Sequence, residues 1–458
     1  MTRNRLVLVI VLFFQLIFGV MYAVRTPPWE APDEPAHFNY VRVLAETGTF
    51  PILQQGDYDQ AYLEQIKAEK FPADMPVDSI RYESHQPPLY YMIAAPFYLV
   101  ARGLGLDVVL ALRLLNVALA LGLSLIAFKI FRLVFPANAS LSLAAVGLVA
   151  TLPMHIAMSA AINNDALAEV VVALILLLAI LRVQGKIAHR RFVILGGVLY
   201  GIALLTKTTI YASVVLLIGA EVGYRHIFAT RRLASVARFA TLRPRPRALL
   251  AAARTSVELF AIALVISVAW FTRNALTYGV TDLFGWARHD AVVAGQPTTA
   301  AQIAEYGLRN VVLDFFAISF KSFWAQFGWM GVLVNDRIYV ILLVLSAAAS
   351  LGALFWIIRL WRERRAFSTE TRWTWVLLGI LLFLALAAHV YYNLKYVQPQ
   401  GRYLFPALIP IAAFWSAGLG ELLKARYARV VFILLYLVML ALDYICLAWF
   451  IVPQLASR

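Results

Sequence analysis

Residues 6–38 read LVLVIVLFFQLIFGVMYAVRTPPWEAPDEPAHF, and the junction inside this stretch decides what kind of protein the chain is. Its first part, residues 6–24, is an apolar run of helix length behind Arg3 and Arg5. No small-residue cleavage site of the Ala-x-Ala type follows it, and many further apolar runs do. It therefore reads as a retained membrane helix and not as a cleaved leader. The second part, Pro27 to Phe38, sets the adjacent carboxylates Asp33 and Glu34 where that helix meets water, among prolines and aromatics.

Composition agrees with the junction. With 62% hydrophobic and 14% charged residues and a mean hydropathy of +0.76, the chain is not a soluble globular protein. Its apolar runs must satisfy their backbone inside lipid, as α-helices do. The expected class is an all-α polytopic membrane protein, a single transmembrane domain over residues 1–458. The formal charge of +15 would suggest nucleic acid in a soluble chain. Here the basic residues gather in particular connecting loops, which makes them a topology signal, and no nucleic-acid partner is expected. The single cysteine, Cys446, excludes an intrachain disulfide.

With Arg3 and Arg5 holding the N-terminus in the cytoplasm, residues 25–107 become a large first external segment with 6 basic and 12 acidic residues. The apolar run 87–100 opens on two prolines and is short, so it reads as an interfacial helix. If it does not cross, spans fall at 109–128, 141–159, 167–181, 192–206, 209–224, 257–272, 338–358, 373–389, 404–422 and 430–452. The first helix makes eleven. Every basic cluster then lies inside, including a loop over 225–256, and a second large external segment covers 273–337. The C-terminus is outside. Anionic lipid headgroups are one reading of Arg243-Pro244-Arg245-Pro246-Arg247, and a plain cytoplasmic linker is the other. The expected location is the cytoplasmic (inner) cell membrane.

This topology gathers polar residues at the outer face, where ionisable groups near lipid are functional candidates. Asp33 and Glu34 suit general-base work on an alcohol, each carboxylate raising the pKa of the other. Capping of a helix that starts near Pro35 is the structural alternative. His37 follows Asp33 by one helical turn, so a divalent metal is conceivable there but is not favoured, for want of a third ligand. His85 and Tyr90 stand in Tyr82-Glu83-Ser84-His85-Gln86-Pro87-Pro88-Leu89-Tyr90-Tyr91, which has the look of a sugar-binding platform or of an interfacial tyrosine belt. Arg113 lies just inside a span, snorkelling or neutralising an acid or phosphate. Lys207 and Arg402, the latter beside Tyr403, are cations where the positive-inside bias disfavours them, a natural phosphate site. Asn164 and Asp165 complete the set.

These residues resemble the GT-C superfamily of multispanning glycosyltransferases, nearest to its protein O-mannosyltransferase and aminoarabinose-transferase branch. The signatures, in order, are Asp33-Glu34, His85-Gln86-Pro87-Pro88-Leu89-Tyr90, Asn164-Asp165-Ala166-Leu167, and Arg402-Tyr403 with Pro406. Gly201 to Lys207 and Arg113-Leu114-Leu115-Asn116 match further helix ends. Gln86 separates His85 from the prolines where the family has His-Pro-Pro, and no Trp-Trp-Asp element of the oligosaccharyltransferases is present. The resemblance implies surface helices in the first external segment, a donor sugar on a polyprenyl phosphate, and Asp33 as catalytic base with Glu34 in support. It leaves Lys207, Arg402 and Arg113 for the donor phosphate, and His37, His85, Tyr90, Asn164, Asp165 and Tyr403 for substrate. No cofactor beyond the lipid-linked donor is implied with certainty. The acceptor is a glycan, lipid or protein. A non-enzymatic transporter or flippase of lipid-linked saccharides is the alternative.

Overall fold

A computed structural model describes residues 3–234, 246–363 and 366–455. Helix α1 (Arg3–Arg25) leads into a first polar segment holding α2 (Glu34–Thr47), α3 (Gln60–Ala68) and α4 (Leu89–Gly103). Then come α5 (Val108–Val134), α6 (Ala139–Ala150), α7 (Pro153–Ser159), α8 (Asp165–Val183), α9 (His189–Leu204), α10 (Val214–Ala234) and α11 (Pro246–Tyr278). A second polar segment carries α12 (Trp286–Val292), α13 (Thr299–Tyr306), α14 (Leu308–Trp324) and a short antiparallel ribbon of β1 (Gln326–Phe327) with β2 (Val332–Leu333). The chain ends in α15 (Asp336–Arg362), α16 (Thr369–Asn393), α17 (Leu408–Leu422) and α18 (Ala425–Ile445), with a π-helical turn over Cys446–Ile451.

The protein is an all-α polytopic membrane protein. Among the described residues nine helices are long and apolar enough to cross a membrane, and the bent pair α6–α7 makes a tenth. The expectation of eleven spans departs from this at two places. The run at 141–159 is not one helix but two, bent by 56°. Pro153 supplies no N–H and forces Leu152 out of the helical region, to φ −79°, ψ 114°, so the first helix stops at Ala150. The run at 192–206 is α9, only 16 residues long, against the ~20 that a hydrocarbon core requires. Its ends nevertheless sit at opposite ends of α8. His189, where α9 starts, lies 3.8 Å from Glu221, which Arg182 near the end of α8 bonds at 2.7 Å. Beyond the other end of α9, Lys207 meets Asp165, the first residue of α8, at 2.6 Å. Helix α9 thus runs from one end of the bundle to the other.

Local chemistry sets the helix starts. Asp107 accepts from the Leu110 N–H at 3.0 Å, Asn138 from Leu141 at 3.2 Å and Ser368 from Thr371 at 3.2 Å, each cap worth ~1 kcal/mol. Helix α15 crosses α17 at Gly352 and Gly418, where a Cβ on either would overlap the backbone of the other, the close approach that small residues allow between membrane helices. At the end of the bundle away from Asp33, buried Glu221 takes Arg182 and Arg225, both at 2.7 Å, and Thr255 at 3.4 Å, tying α8, α10 and α11 together. The basic loop expected over 225–256 is therefore mostly helix, since arginine is a good helix former and Glu221–Arg225 is a stabilising one-turn pair. Its middle, residues 235–245, lies outside the described residues.

At the Asp33 end the two polar segments make one cap with its own small core. Leu63, Ile66, Ile80 and Tyr82 from the first bury against Val293 of the second, with Phe71 and Trp329 packed on them.

Candidate active site

Asp33 and Glu34 are adjacent in sequence and opposite in use. Glu34 is fully buried and its oxygens take the Arg113 guanidinium at 2.7 and 2.6 Å. They also accept the backbone N–H groups of Trp29 and Ile162, at 3.0 and 3.1 Å. Arg113 spends its other bonds on the carbonyls of Ala23, Thr26 and Pro27. All five of its N–H donors are then committed, which leaves none for a phosphate. This pair bolts the end of α1 to α5.

Asp33 adopts a left-handed backbone (φ 67°) at the start of α2 and makes no side-chain cap there, so the capping alternative fails. Its carboxylate turns instead to the Arg402 guanidinium and to the Tyr82 hydroxyl, which donates at 2.7 Å. Burial alone would raise its pKa. The charge on Arg402 and the bond from Tyr82 outweigh burial and hold the carboxyl down at about 2. Mutual elevation by neighbouring carboxylates is therefore not what this acid experiences, because the nearby charge that matters is positive. Arg402 is itself fixed, its Nε donating to Gln400 at 2.7 Å. Gly401 before it packs so tightly on the backbone of Ser319 and Phe323 that no side chain fits there.

Around this pair stand the other cation and its acid, Lys207 and Asp165 at 2.6 Å. His37 is within electrostatic reach of Asp33, Glu83, Asp165 and Lys207. Burial lowers its pKa, and its Nδ1 is 2.8 Å from the Tyr91 hydroxyl. His37 thus bonds a phenol through this nitrogen. Among the described residues no three His, Cys, Asp or Glu side chains converge as metal ligands. Asn164 is fully buried, with its amide N–H groups toward Gln86 and the Thr206 carbonyl at 3.4 and 3.5 Å. Tyr403 lies beside Arg402, its ring 5.9 Å from that of Tyr392.

Two expected substrate contacts have protein partners of their own. His85 bonds the Tyr82 carbonyl and its ring lies 4.7 Å from that of His289, at the seam between the two polar segments. Burial drops the pKa of each to about 4, so the pair is neutral. The inserted Gln86 is the residue that reaches Asn164. Tyr90 is buried in the helical core, edge-on to Tyr91.

Sequence reasoning missed Tyr82, Tyr392, Glu30 and Trp329. Tyr82 and Glu30 stood in quoted stretches, whereas nothing in the sequence singles out Tyr392 and Trp329. Trp329 has a particular place. Among the described residues the non-glycine positions with positive φ are Trp29, Asp33, Lys70, Phe71, Trp329 and Met330, and all belong to three loops that meet at this indole. Its Nε1 donates to the Trp29 carbonyl at 2.9 Å, and Phe71 stacks on its ring. Such backbone strain collects at functional sites.

Glu30 is 4% exposed and its Oε1 has no hydrogen-bond partner among the described residues. Burial pushes its pKa from 4.5 to about 7, Glu34 adds to the rise, and Lys70 offsets only part of it. The folded protein therefore holds a proton that the unfolded chain has released between those values. Stability from this group is lost as pH rises from 4.5 toward 7. Glu30→Gln should accordingly raise the melting temperature at pH 8, with a smaller gain at pH 5. An equal shift at both values would disprove the assignment.

Compared by sequence, the chain matches no protein-family profile and no curated protein. Compared by structure, its fold is GT-C-like, the class of multispanning membrane folds that the motifs resemble. The archaeal oligosaccharyltransferase AglB from Archaeoglobus fulgidus, solved with an inhibitory peptide and a dolichol-phosphate, aligns over 99% of this chain and 56% of its own, with 14% identity and TM-score 0.51. ArnT from Cupriavidus metallidurans bound to undecaprenyl phosphate aligns over 99% of this chain and 73% of its own, at 15% identity and TM-score 0.49. The Pmt1–Pmt2 protein O-mannosyltransferase complex of S. cerevisiae, bound to the sugar donor, covers 60% of this chain and 34% of its own, at 12% identity and TM-score 0.38. At these identities the likeness is one of fold.

Proposed function

We propose that the chain is an inverting glycosyltransferase that moves a sugar from a polyprenyl-phosphate donor to an acceptor hydroxyl at the outer face of the cytoplasmic membrane. The observation that carries the reading is the Asp33–Arg402 pair with the Asp165–Lys207 pair alongside: two acids and two cations under a polar cap at one end of a membrane bundle. Outside the cytoplasmic membrane a sugar donor must arrive on lipid, and its leaving group is a phosphate that needs cations and no proton. A phosphate reaching Arg402 competes with Asp33 for the guanidinium. As the charge on Arg402 turns to the phosphate, the Asp33 pKa rises from about 2 toward the ordinary carboxylate range. The acid then becomes a better base when the donor is seated. Asp33 takes the acceptor hydroxyl proton while that oxygen bonds the anomeric carbon from the opposite face. The bond from that carbon to the phosphate oxygen breaks, and polyprenyl phosphate leaves on Lys207 and Arg402. The sugar and the acceptor stay unassigned, and membrane lipids surround the bundle.

The flippase alternative needs a polar route through the bundle. On α8 the pairs Lys207–Asp165 and Arg182–Glu221 stand at opposite ends, with residues 170–181 between them wholly apolar.

Purified protein in lipid nanodiscs, given a panel of polyprenyl-phosphate sugars and simple alcohol, lipid and peptide acceptors, should release polyprenyl phosphate. Lys207→Gln and Arg402→Gln should each weaken donor binding by about 1–3 kcal/mol, the worth of a charge-assisted contact. Undiminished donor affinity in both variants would move the phosphate elsewhere. No turnover with any donor, together with saccharide movement across liposomes, would transfer the assignment to the flippase.

Orientation has its own test. In a background lacking Cys446, single cysteines at the exposed positions Gln54 and Ala301 should react with an impermeant maleimide added to intact cells. One at exposed Lys186, at the other end of the bundle, should react only after permeabilisation. The reverse pattern would put the site on the cytoplasmic side.

A further inference from the structure

The cluster around Asp33 holds a second kind of surface that the phosphate chemistry does not use. The Oε2 of Glu83, the Oδ1 of Asn164 and the Oε1 of Gln296 are all buried and without a hydrogen-bond partner among the described residues. They come from three separate parts of the chain: the turn before α4, the start of α8 and the loop before α13. Tyr392 connects them to the centre. Its ring lies 5.9 Å from that of Tyr403, and the loop that carries Gln296 pairs with the segment after it, the Val397 N–H donating to the Pro297 carbonyl at 3.1 Å. Glu83 follows Tyr82, which bonds Asp33 at 2.7 Å, and Asn164 precedes Asp165, which pairs with Lys207 at 2.6 Å. Asn164 points its N–H groups at the Thr206 carbonyl and Gln86, which obliges its oxygen to face the other way.

We infer that Glu83, Asn164 and Gln296 form a hydroxyl-reading subsite that grips the sugar ring of the donor, with Tyr392 and Tyr403 as its aromatic wall. All three groups are acceptors, so the ligand edge that satisfies them carries several O–H donors. A phosphate cannot serve, because it brings only acceptors and meets the Glu83 carboxylate. A pyranose with free hydroxyls does, and the exposed face of an aromatic ring suits its C–H side. The site thereby divides its labour: Arg402 and Lys207 hold the phosphate end, and the acceptor oxygens hold the sugar end. A buried acceptor left unmet is costly, so such a subsite rejects a deoxy analogue more strongly than it rejects a change of bulk. This inference rests on the glycosyltransferase reading and adds the residues that recognise the sugar.

The test compares two ligands on each protein: polyprenyl phosphate alone, and polyprenyl phosphate carrying glucose, mannose, galactose or N-acetylglucosamine. Wild-type protein in nanodiscs should bind its preferred sugar donor at least ~10-fold more tightly than the bare lipid phosphate. In Glu83→Gln and Gln296→Ala that preference should fall below ~3-fold, while affinity for the bare lipid phosphate stays within ~2-fold and the melting temperature is kept. A deoxy form of the preferred sugar should behave on wild-type protein as the full sugar does on the variants. If wild-type protein prefers a sugar donor and both variants keep the preference, the subsite is wrong and the glycosyltransferase reading stands. Equal loss for both ligands would assign these residues to structure and overturn the inference. If wild-type protein neither prefers nor turns over any sugar donor, the glycosyltransferase reading fails and the subsite falls with it.

Discussion

Asp33→Asn protein should insert, fold and bind the lipid-linked donor, yet lose sugar transfer by at least ~100-fold, the scale of removing a general base. The substitution is unusually clean at this position. Asparagine tolerates the left-handed backbone that Asp33 adopts at φ 67° as well as aspartate does. Its carbonyl oxygen can still accept from the Tyr82 hydroxyl, as the carboxylate does at 2.7 Å. The phosphate cations stay in place, and Arg402, relieved of its acid, should hold a lipid phosphate at least as tightly as before. What disappears is the capacity to take a proton. The measurements are donor affinity and released polyprenyl phosphate on the same preparation. Full turnover in this variant would end the assignment of Asp33 as base, whatever the donor proves to be.

Glu34→Ala should fail at an earlier stage, with little or no folded protein in the membrane. Removing one partner of a buried ion pair typically costs about 3–5 kcal/mol, a large share of the stability of any domain. Here the loss is compounded, because the N–H groups of Trp29 and Ile162 lose their acceptor together with Arg113. Glu34→Gln keeps an acceptor oxygen and should fold in part, with a lowered melting temperature and near-normal turnover per folded molecule. A catalytic role for Glu34 would give the opposite split: normal yield and melting temperature with a depressed rate. Yield and thermal stability of the detergent-solubilised protein, measured beside activity, separate the two.

The contrast between these neighbours shows what could be read from the chain and what could not. Apolar runs fix where helices cross, because lipid leaves the backbone no other option, and the positions of the basic residues order the ends. That logic placed Asp33, Asp165, Lys207 and Arg402 at one end of the bundle. It could not tell which acid meets which cation. Glu34 and Arg113 lie 79 residues apart, and a carboxylate on its way to a structural partner looks the same in sequence as one that serves a substrate. The break between α6 and α7 was signalled by Pro153, but its 56° bend was not. Gln296 and Tyr392 belong to no motif, and only the folding of the second polar segment over the first brings them to the site. His85 looked like a sugar contact because it stood in a motif, and burial against His289 gives it a different place.

The left-handed backbone at Asp33 also limits how this position can drift through mutation. Glycine, asparagine and aspartate occupy such a conformation with least strain, and of these only aspartate ionises. Codon changes that keep the loop intact therefore abolish the charge, and the obvious charge-conserving change, to glutamate, strains the loop. The order of the two acids is fixed by the same circumstance. Exchanging Asp33 and Glu34 would set the longer side chain on the strained residue and leave the shorter one unable to span to Arg113. The dipeptide is consequently a single heritable unit, in which one letter holds the bundle together and the other has almost no neutral substitutes.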